Sequence, residues 1–129
     1  MSRGALLLSG AAVAALALVA AFVTRSAGGS LKYGAPIDIN KAETVELATL
    51  FADTQAYVGR RVIVGAQVGQ VCQTSGCWIT VTDGANLLFV QFYDFTVKLK
   101  PGARVRVQGT VRIMNNAPYL VGEGLEVTR

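Results

Sequence analysis

Hydrophobic and polar residues alternate along most of the chain beyond residue 60, as they do in strands that bury one face. Between Ala103 and Ile113 the odd positions are small or aliphatic and the even positions are polar. Val105, Val107, Val111 and Ile113 are therefore predicted to point inward. The same kind of pattern, bounded by turn residues, predicts five strands: Arg61 to Cys72, Cys77 to Thr82, Leu87 to Tyr93, Ala103 to Ile113 and Pro118 to Val127.

One segment ahead of these strands follows a helical period instead. Between Thr44 and Asp53 the apolar residues recur at helical spacing, and Thr44 is a suitable N-cap. Five short antiparallel strands leave unpaired edges unless the sheet closes on itself. The pattern therefore predicts an all-β domain: a small five-stranded OB-type barrel with one short N-terminal helix. A small β-sandwich is the alternative.

The hairpin between the second and third predicted strands defines a candidate binding face. A two-residue turn at Asp83-Gly84 would pair Trp78 with Phe89 across the hairpin. The corresponding face is the common ligand platform of OB folds. The alternative is that these side chains pack under the N-terminal helix or a long loop. The outward residues of this predicted face are Trp78, Leu87, Phe89 and Tyr93.

An uncharged segment precedes the domain. Ala5 to Val23 would span roughly 28 Å as a helix, close to the thickness of a bilayer core, and arginines flank it. Residues 1–25 are therefore predicted to be a signal-anchor or a signal peptide, residues 26–32 a linker, and 33–129 the domain. We expect the domain on the periplasmic side of the cytoplasmic membrane, held by residues 5–23, or soluble in the periplasm after cleavage.

Composition narrows the chemistry. The chain contains no histidine, which removes histidine-based catalysis, histidine metal sites and haem attachment. Its acidic residues fall in no catalytic motif, so no enzyme activity, cofactor or metal is predicted. From Leu31 onward the chain has ten basic and eight acidic residues, and this small excess of positive charge disfavours nucleic acid as a partner.

The outward positions of the fourth predicted strand carry Arg104, Arg106 and Arg112. Such a row is ordinarily a solvated face. It is also a candidate contact for an acidic partner or for anionic lipid head groups.

Four short motifs carry a resemblance to a known family. They are Y-V-G-R-R-V at 57–62, V-C-Q-T-S-G-C-W at 71–78, V-Q-F-Y-D at 90–94, and the P-G-x-x-V-x-V-x-G segment at 101–109. Over residues 33–127 the chain resembles a family of small exported bacterial proteins, which are stand-alone OB-fold domains of unknown function. The resemblance implies an OB fold and export, and it implies no particular activity.

The alternation places Cys72 and Cys77 on the inward faces of two strands joined by a four-residue loop. Both thiols are therefore predicted to point into the barrel, directly opposite each other, within reach of a disulfide. In an oxidising compartment a structural disulfide is favoured, although so small a ring stabilises the fold by only ~2 kcal/mol. A redox-active dithiol and a Cu(I) site, with Met114 as a further soft ligand, stay open, as do free, inert thiols. Two thiolates are too few for structural zinc.

These observations favour a non-catalytic, exported OB-fold binding or accessory module. We expect it to be tethered to the membrane and to dock on a protein partner or a membrane complex. The first alternative is a redox or Cu(I)-handling protein that uses the cysteine pair. The second is a module that binds oligosaccharide or single-stranded nucleic acid on the Trp78 face.

Overall fold

Seven strands and two short helices make up the described part of the chain. The structure is a computed structural model that describes residues 31–128. Its elements are β1 (Lys32–Gly34), β2 (Glu43–Thr44), α1 (Leu47–Ala52), α2 (Thr54–Tyr57), β3 (Arg61–Val71), β4 (Trp78–Thr82), β5 (Leu87–Phe92), β6 (Arg104–Met114) and β7 (Ala117–Val127). The apolar segment Ala5 to Val23 lies outside the described residues. Within residues 31–128, no helix has the length and apolar character needed to cross a bilayer.

Five of the strands close into a barrel. Neighbours follow the order β3-β4-β5-β7-β6, and β6 pairs with β3 to complete the ring. The pairing of β5 with β7 is parallel, and the other four are antiparallel. The two-residue strand β2 pairs in parallel with β3, and β1 pairs antiparallel with β7. This connectivity confirms the predicted five-stranded barrel of the OB type.

The alternating valines supply the core, as predicted. Val105, Val107 and Val111 are each at most 1% exposed. The inward prediction for Ile113 is wrong: this residue is 37% exposed, since it lies at the end of β6 where only the β6–β7 hairpin continues. Gln108 points outward from β6 but is buried, because the segment ahead of β2 covers it and the backbone N–H of Asp38 donates to its side chain.

The predicted single helix is divided and begins later. Thr44 lies in β2, where it pairs with Ile63 of β3, so it does not cap a helix. Residue 46 occupies the N-cap position of α1, and a break at Asp53 separates α1 from α2. Leu47 and Leu50 of α1 are fully buried against the barrel. The short helix therefore closes one part of the core, as an amphipathic segment should.

The β4–β5 hairpin has a different register from the predicted one. Thr82 pairs with Leu87 and Trp78 pairs with Gln91, so the connection has four residues and not two. The carboxylate of Asp83 accepts hydrogen bonds from the backbone N–H groups of Ala85 and Asn86, which favours this longer loop. The displacement is an even number of residues, and every side chain therefore keeps its predicted face.

A β-bulge in β3 overturns the predicted position of Cys72. The register between β3 and β4 shifts between Val68 and Val71. The backbone N–H of Gln70, displaced from the ladder, donates to the Thr80 hydroxyl at 2.9 Å. One extra residue exchanges the two faces of the strand. Val71 consequently packs against the core, whereas Cys72 is half-buried outside it.

Candidate functional site at the cysteine loop

A cleft of about 950 Å³ opens beside the first hairpin of the barrel. One wall is the end of β3 and the loop of residues 72–77, here called the cysteine loop. The other is the segment of residues 94–101 between β5 and β6, here called the facing loop. Trp78 lines the cleft where β4 begins, and Lys98 and Lys100 line it from the facing loop. These two lysines are the charged side chains among the described residues that line the cleft.

The facing loop lacks helix and strand, but several contacts hold it. The backbone N–H of Val97 donates to the Gly76 carbonyl at 2.9 Å, and the Tyr33 hydroxyl donates to the Lys98 carbonyl at 3.0 Å. Gly102, just after the loop, donates to the Val68 carbonyl at 2.7 Å. Val97 is buried in the core. The facing loop and the residue just after it are therefore attached to the cysteine loop, β1 and β3, and these attachments fix both walls of the cleft.

The approach of the two loops depends on Gly76. Its φ of +66° lies in the left-handed region, where a side chain is unfavourable. A Cβ there would also collide with the Val97 carbonyl oxygen. Glycine is therefore required at this position for two independent reasons, and the floor of the cleft forms where the loops touch.

The sulfur of Cys72, which lines the cleft, is in contact with the sulfur of Cys77. The two Sγ atoms are 3.4 Å apart and not bonded, and the Cys77 thiol donates to the sulfur of Cys72. The Cys72 sulfur also lies 3.5 Å from Thr74 Oγ1 and 3.6 Å from Ser75 Oγ. The predicted proximity of the two cysteines is therefore present, although outside the barrel core.

Hydrogen-bond donors favour the thiolate form of Cys72. The Thr74 hydroxyl contributes most, followed by the backbone N–H and the hydroxyl of Ser75 and then the backbone N–H of Cys77. Together they lower the pKa of Cys72 from its ordinary value of 9.0 to about 5. The loop thus does for a thiol what a helix N-terminus does in many reactive-cysteine proteins.

The backbone fixes both sulfur-bearing residues. Cys72 donates its N–H to the Trp78 carbonyl at 2.9 Å and accepts from the Gly76 N–H at 3.0 Å. The Cys77 carbonyl accepts from the backbone N–H of Phe92 at 2.8 Å and from Gln91 Nε2 at 3.1 Å. The cysteine loop is therefore tied to β4 and β5, and its geometry follows from the barrel.

The predicted aromatic face is present on the outside of β4 and β5. The rings of Trp78 and Phe89 lie 5.6 Å apart, centroid to centroid, and are tilted by 31°. Leu87 is 61% exposed and Tyr93 is 71% exposed. Tyr119 of β7 pairs with Phe89, and sequence reasoning missed it because a parallel pairing between distant strands leaves no local signal.

The three arginines lie elsewhere. β6, which carries them, pairs with β3 and β7 and not with β4 or β5. Arg104 and Arg112 are exposed, and Arg106 is 3.7 Å from the carboxylate of Glu126. The structure thus divides the predicted binding residues into an aromatic group beside the cleft and an arginine row on another side of the barrel.

Sequence reasoning also missed the facing loop. Nothing in the pattern of residues 94–101 places Lys98 and Lys100 opposite Cys72, because the packing of Val97 on Gly76 brings them there. Thr74 and Ser75 did have a signal, since hydroxyl residues within a short cysteine loop are natural donors to sulfur.

The described residues hold no group of three or more histidine, cysteine, aspartate or glutamate side chains that could bind a metal ion. Met114, the candidate further ligand in the Cu(I) alternative, pairs with Ala117 at the β6–β7 turn and does not line the cleft.

Comparison with known proteins adds the fold and nothing finer. No family model matches the chain, and no curated protein matches it. A proposed aspartyl-tRNA synthetase from Leishmania major Friedlin is similar in structure, with a TM-score of 0.58, 16% identity and 74% of this chain covered. The match spans only 23% of the synthetase chain.

Two smaller proteins match over nearly their whole length. OBody AM1L10, in its complex with hen egg-white lysozyme, has a TM-score of 0.56 and 14% identity, with 74% of this chain and 98% of that chain covered. The hypothetical protein ygiW from E. coli has a TM-score of 0.51 and 13% identity, with 74% and 97% covered. At such identities these likenesses show the OB fold alone.

Proposed function

We propose that this domain is a binding module that holds an extended segment of a partner protein in the cleft. The observation that carries the proposal is the fixed cleft between the cysteine loop and the facing loop. A preformed cleft of this size loses little conformational entropy on binding, which favours affinity. OBody AM1L10 is bound to lysozyme, so one protein of this fold does present a protein-binding surface.

The lining of the cleft suggests the chemistry of the segment. Val71, Trp78 and Leu99 offer apolar surface, and Lys98 and Lys100 supply positive charge at the rim. Tryptophan next to polar loop groups is typical of the central residues of protein interfaces. A partner segment with alternating apolar and acidic side chains fits this lining best.

The full chain provides its own reporter for a test. Trp78 is the only tryptophan of the protein and lines the cleft. We expect a peptide of alternating glutamate and leucine to shift its emission maximum, while the same peptide with lysine in place of glutamate leaves it unchanged. An equal response to both peptides contradicts the proposed chemistry.

Charge reversal at the rim sharpens this test. The double variant Lys98→Glu/Lys100→Glu should weaken binding of the acidic peptide by about 10-fold, since each exposed pair contributes up to ~1 kcal/mol. The matched control is Lys32→Glu/Lys41→Glu, which changes the net charge equally at exposed lysines outside the cleft. The proposal fails if the control weakens binding as much as the rim variant.

We further propose that the module is exported and held at the membrane by residues 5–23, as their uncharged composition suggests. The resemblance to exported OB-fold proteins supports the same placement. The intact mass of the protein recovered from an exporting cell tests both parts. A full-length mass in the membrane fraction supports the anchor, a truncated mass in the soluble fraction supports a cleaved signal, and a full-length soluble cytoplasmic protein contradicts export.

A further inference from the structure

Two unbonded sulfurs lie in contact with each other beside the cleft. The Sγ atoms of Cys72 and Cys77 are 3.4 Å apart. A disulfide needs an S–S distance of ~2.05 Å, so the sulfurs must approach by about 1.4 Å. Rotation of two side chains supplies such a movement. The pair can therefore pass between dithiol and disulfide while the barrel keeps its backbone.

The two sulfurs are not equivalent. Cys72 lines the cleft and its sulfur is open to solvent, whereas Cys77 does not line the cleft. The Cys77 thiol donates its proton towards Cys72, which also has the hydroxyls of Thr74 and Ser75 beside it. Cys72 is thus the sulfur that an incoming molecule meets, and Cys77 is in contact behind it.

The surroundings of Cys72 favour the reactive form of a thiol. The thiolate is the nucleophile in thiol–disulfide exchange, and the hydroxyl and amide donors of the cysteine loop stabilise it. Lys98 and Lys100 face the same cleft, and none of its lining side chains within the described residues is a carboxylate. Nothing in the lining repels a thiolate or the thiolate that leaves a substrate.

We propose that Cys72 and Cys77 form a thiol–disulfide exchange site that reduces disulfides presented at the cleft. The Cys72 thiolate attacks one sulfur of the substrate disulfide, a mixed disulfide forms, and the other substrate sulfur leaves as a thiolate. Cys77 gives its thiol proton to the first released thiolate, its sulfur attacks the Cys72 sulfur, and the second substrate sulfur leaves as a thiolate that takes a proton from water. One substrate disulfide becomes two thiols and the protein dithiol becomes the Cys72–Cys77 disulfide, so each domain acts once until a dithiol reduces it again.

The position of the pair favours exchange over a purely structural crosslink. The ring closed by the bond contains only the cysteine loop, so it constrains little of the unfolded chain. Disulfides that solvent can reach are the labile and catalytic ones, and the Cys72 sulfur of this pair borders the open cleft.

This site does not depend on the proposed peptide binding. A small disulfide reaches Cys72 without occupying the whole cleft, and the peptide test reads Trp78 and the two lysines. Loss of one activity with retention of the other therefore separates the two proposals.

The test uses the full chain, reduced and freed of reductant, with glutathione disulfide as the probe and mass spectrometry as the measurement. Wild-type protein should end as an internal disulfide that carries no glutathione. Cys77→Ser should retain one glutathione on Cys72, because the resolving thiol is missing. Cys72→Ser should react at least 10-fold more slowly than wild type.

A positioning variant keeps the proposal testable if either cysteine variant fails to fold. Thr74→Ala should slow the first step at pH 6, where the donated hydrogen bond maintains the thiolate, and Thr74→Ser should restore the rate. Trp78 emission confirms that the cleft is intact in each variant.

Three results would overturn the exchange site. The first is a Cys77→Ser protein that retains no glutathione, and the second is a Cys72→Ser protein that reacts as fast as wild type. The third is an oxidised wild-type protein that dithiothreitol reduces only after unfolding, as a purely structural disulfide would behave.

Discussion

The two loops that flank β4 both stabilise an anion with hydrogen-bond donors, but the two anions lie in different surroundings. At the start of β4, the cysteine loop directs hydroxyl and amide donors at the Cys72 sulfur. At its end, the loop of residues 83–86, here called the aspartate loop, directs amide donors at the Asp83 carboxylate. Both groups have a pKa below the ordinary value because hydrogen-bond donors stabilise the anion.

The difference lies in what each anion faces. Cys72 borders a cleft and is in contact with a second sulfur. The facing loop, which packs on the cysteine loop, forms the other wall of that cleft. Asp83, Gly84 and Ala85 are exposed, and a Cβ on Gly84 would meet nothing within 4 Å. An anion held by a loop is therefore ordinary turn chemistry, and the tertiary contacts around it decide whether it becomes a candidate site.

The largest contrast is expected between the glycines of the two loops. Gly76→Ala combines a positive φ with a collision against Val97 and should cost more than about 3 kcal/mol. Gly84→Ala has the positive φ alone and should cost about 1 kcal/mol. Urea unfolding followed by Trp78 fluorescence measures both. Equal costs would show that the facing loop moves away easily, and the cleft would then not be fixed.

The next contrast concerns the reactivity of Cys72. In Cys77→Ser, the rate of alkylation by iodoacetamide should rise with a midpoint near pH 5 and be flat above about pH 7, since the thiolate persists down to the lowered pKa. A thiol with the ordinary pKa of 9.0 would instead gain roughly 100-fold between pH 6 and pH 8. The titratable side chains that share its cleft are Lys98 and Lys100.

Removing the strongest donor provides the control for this profile. Thr74→Ala should move the midpoint to higher pH, because the Thr74 hydroxyl is the largest contribution to the lowered pKa of Cys72. A midpoint above pH 8 in the parent variant would remove the basis of the comparison between the loops.

The smallest effect is expected at Asp83. Its folded pKa lies below the unfolded value, so the stabilisation is present above the ordinary carboxyl pKa of about 4 and is lost as pH falls through the folded pKa. Asp83→Asn should therefore melt at a lower temperature than wild type at pH 7, and the difference should shrink as the pH falls below the ordinary carboxyl pKa and through the folded one. A difference that is independent of pH would mean that the charge of Asp83 contributes nothing.

The faces of the strands could be predicted from the sequence because alternation is a local property. Val105, Val107 and Val111 are buried as expected, and Trp78 and Phe89 share the outer face although their register is displaced. An even displacement exchanges partners without exchanging faces. The pattern therefore survived an incorrect turn, while the individual cross-strand pairs did not.

The candidate site was predictable only in part. The cysteine motif located two sulfurs close together, but the odd shift at the bulge after Val68 moved Cys72 out of the core. In the bulge, the backbone N–H of Gln70 donates to the hydroxyl of Thr80, which lies ten residues away on another strand. No count of alternating residues along β3 contains this information.

By itself, the sequence determined the alternating strands and the barrel that they imply. It also determined the spacing of the two cysteines and the absence of histidine. Tertiary structure decided which side of the barrel received the thiols, what loop faces them and which charges line the cleft. The physical reason is that a side chain's face follows from its neighbours in the chain until a bulge interrupts the ladder. The surroundings of a site come from segments that meet only when the barrel closes.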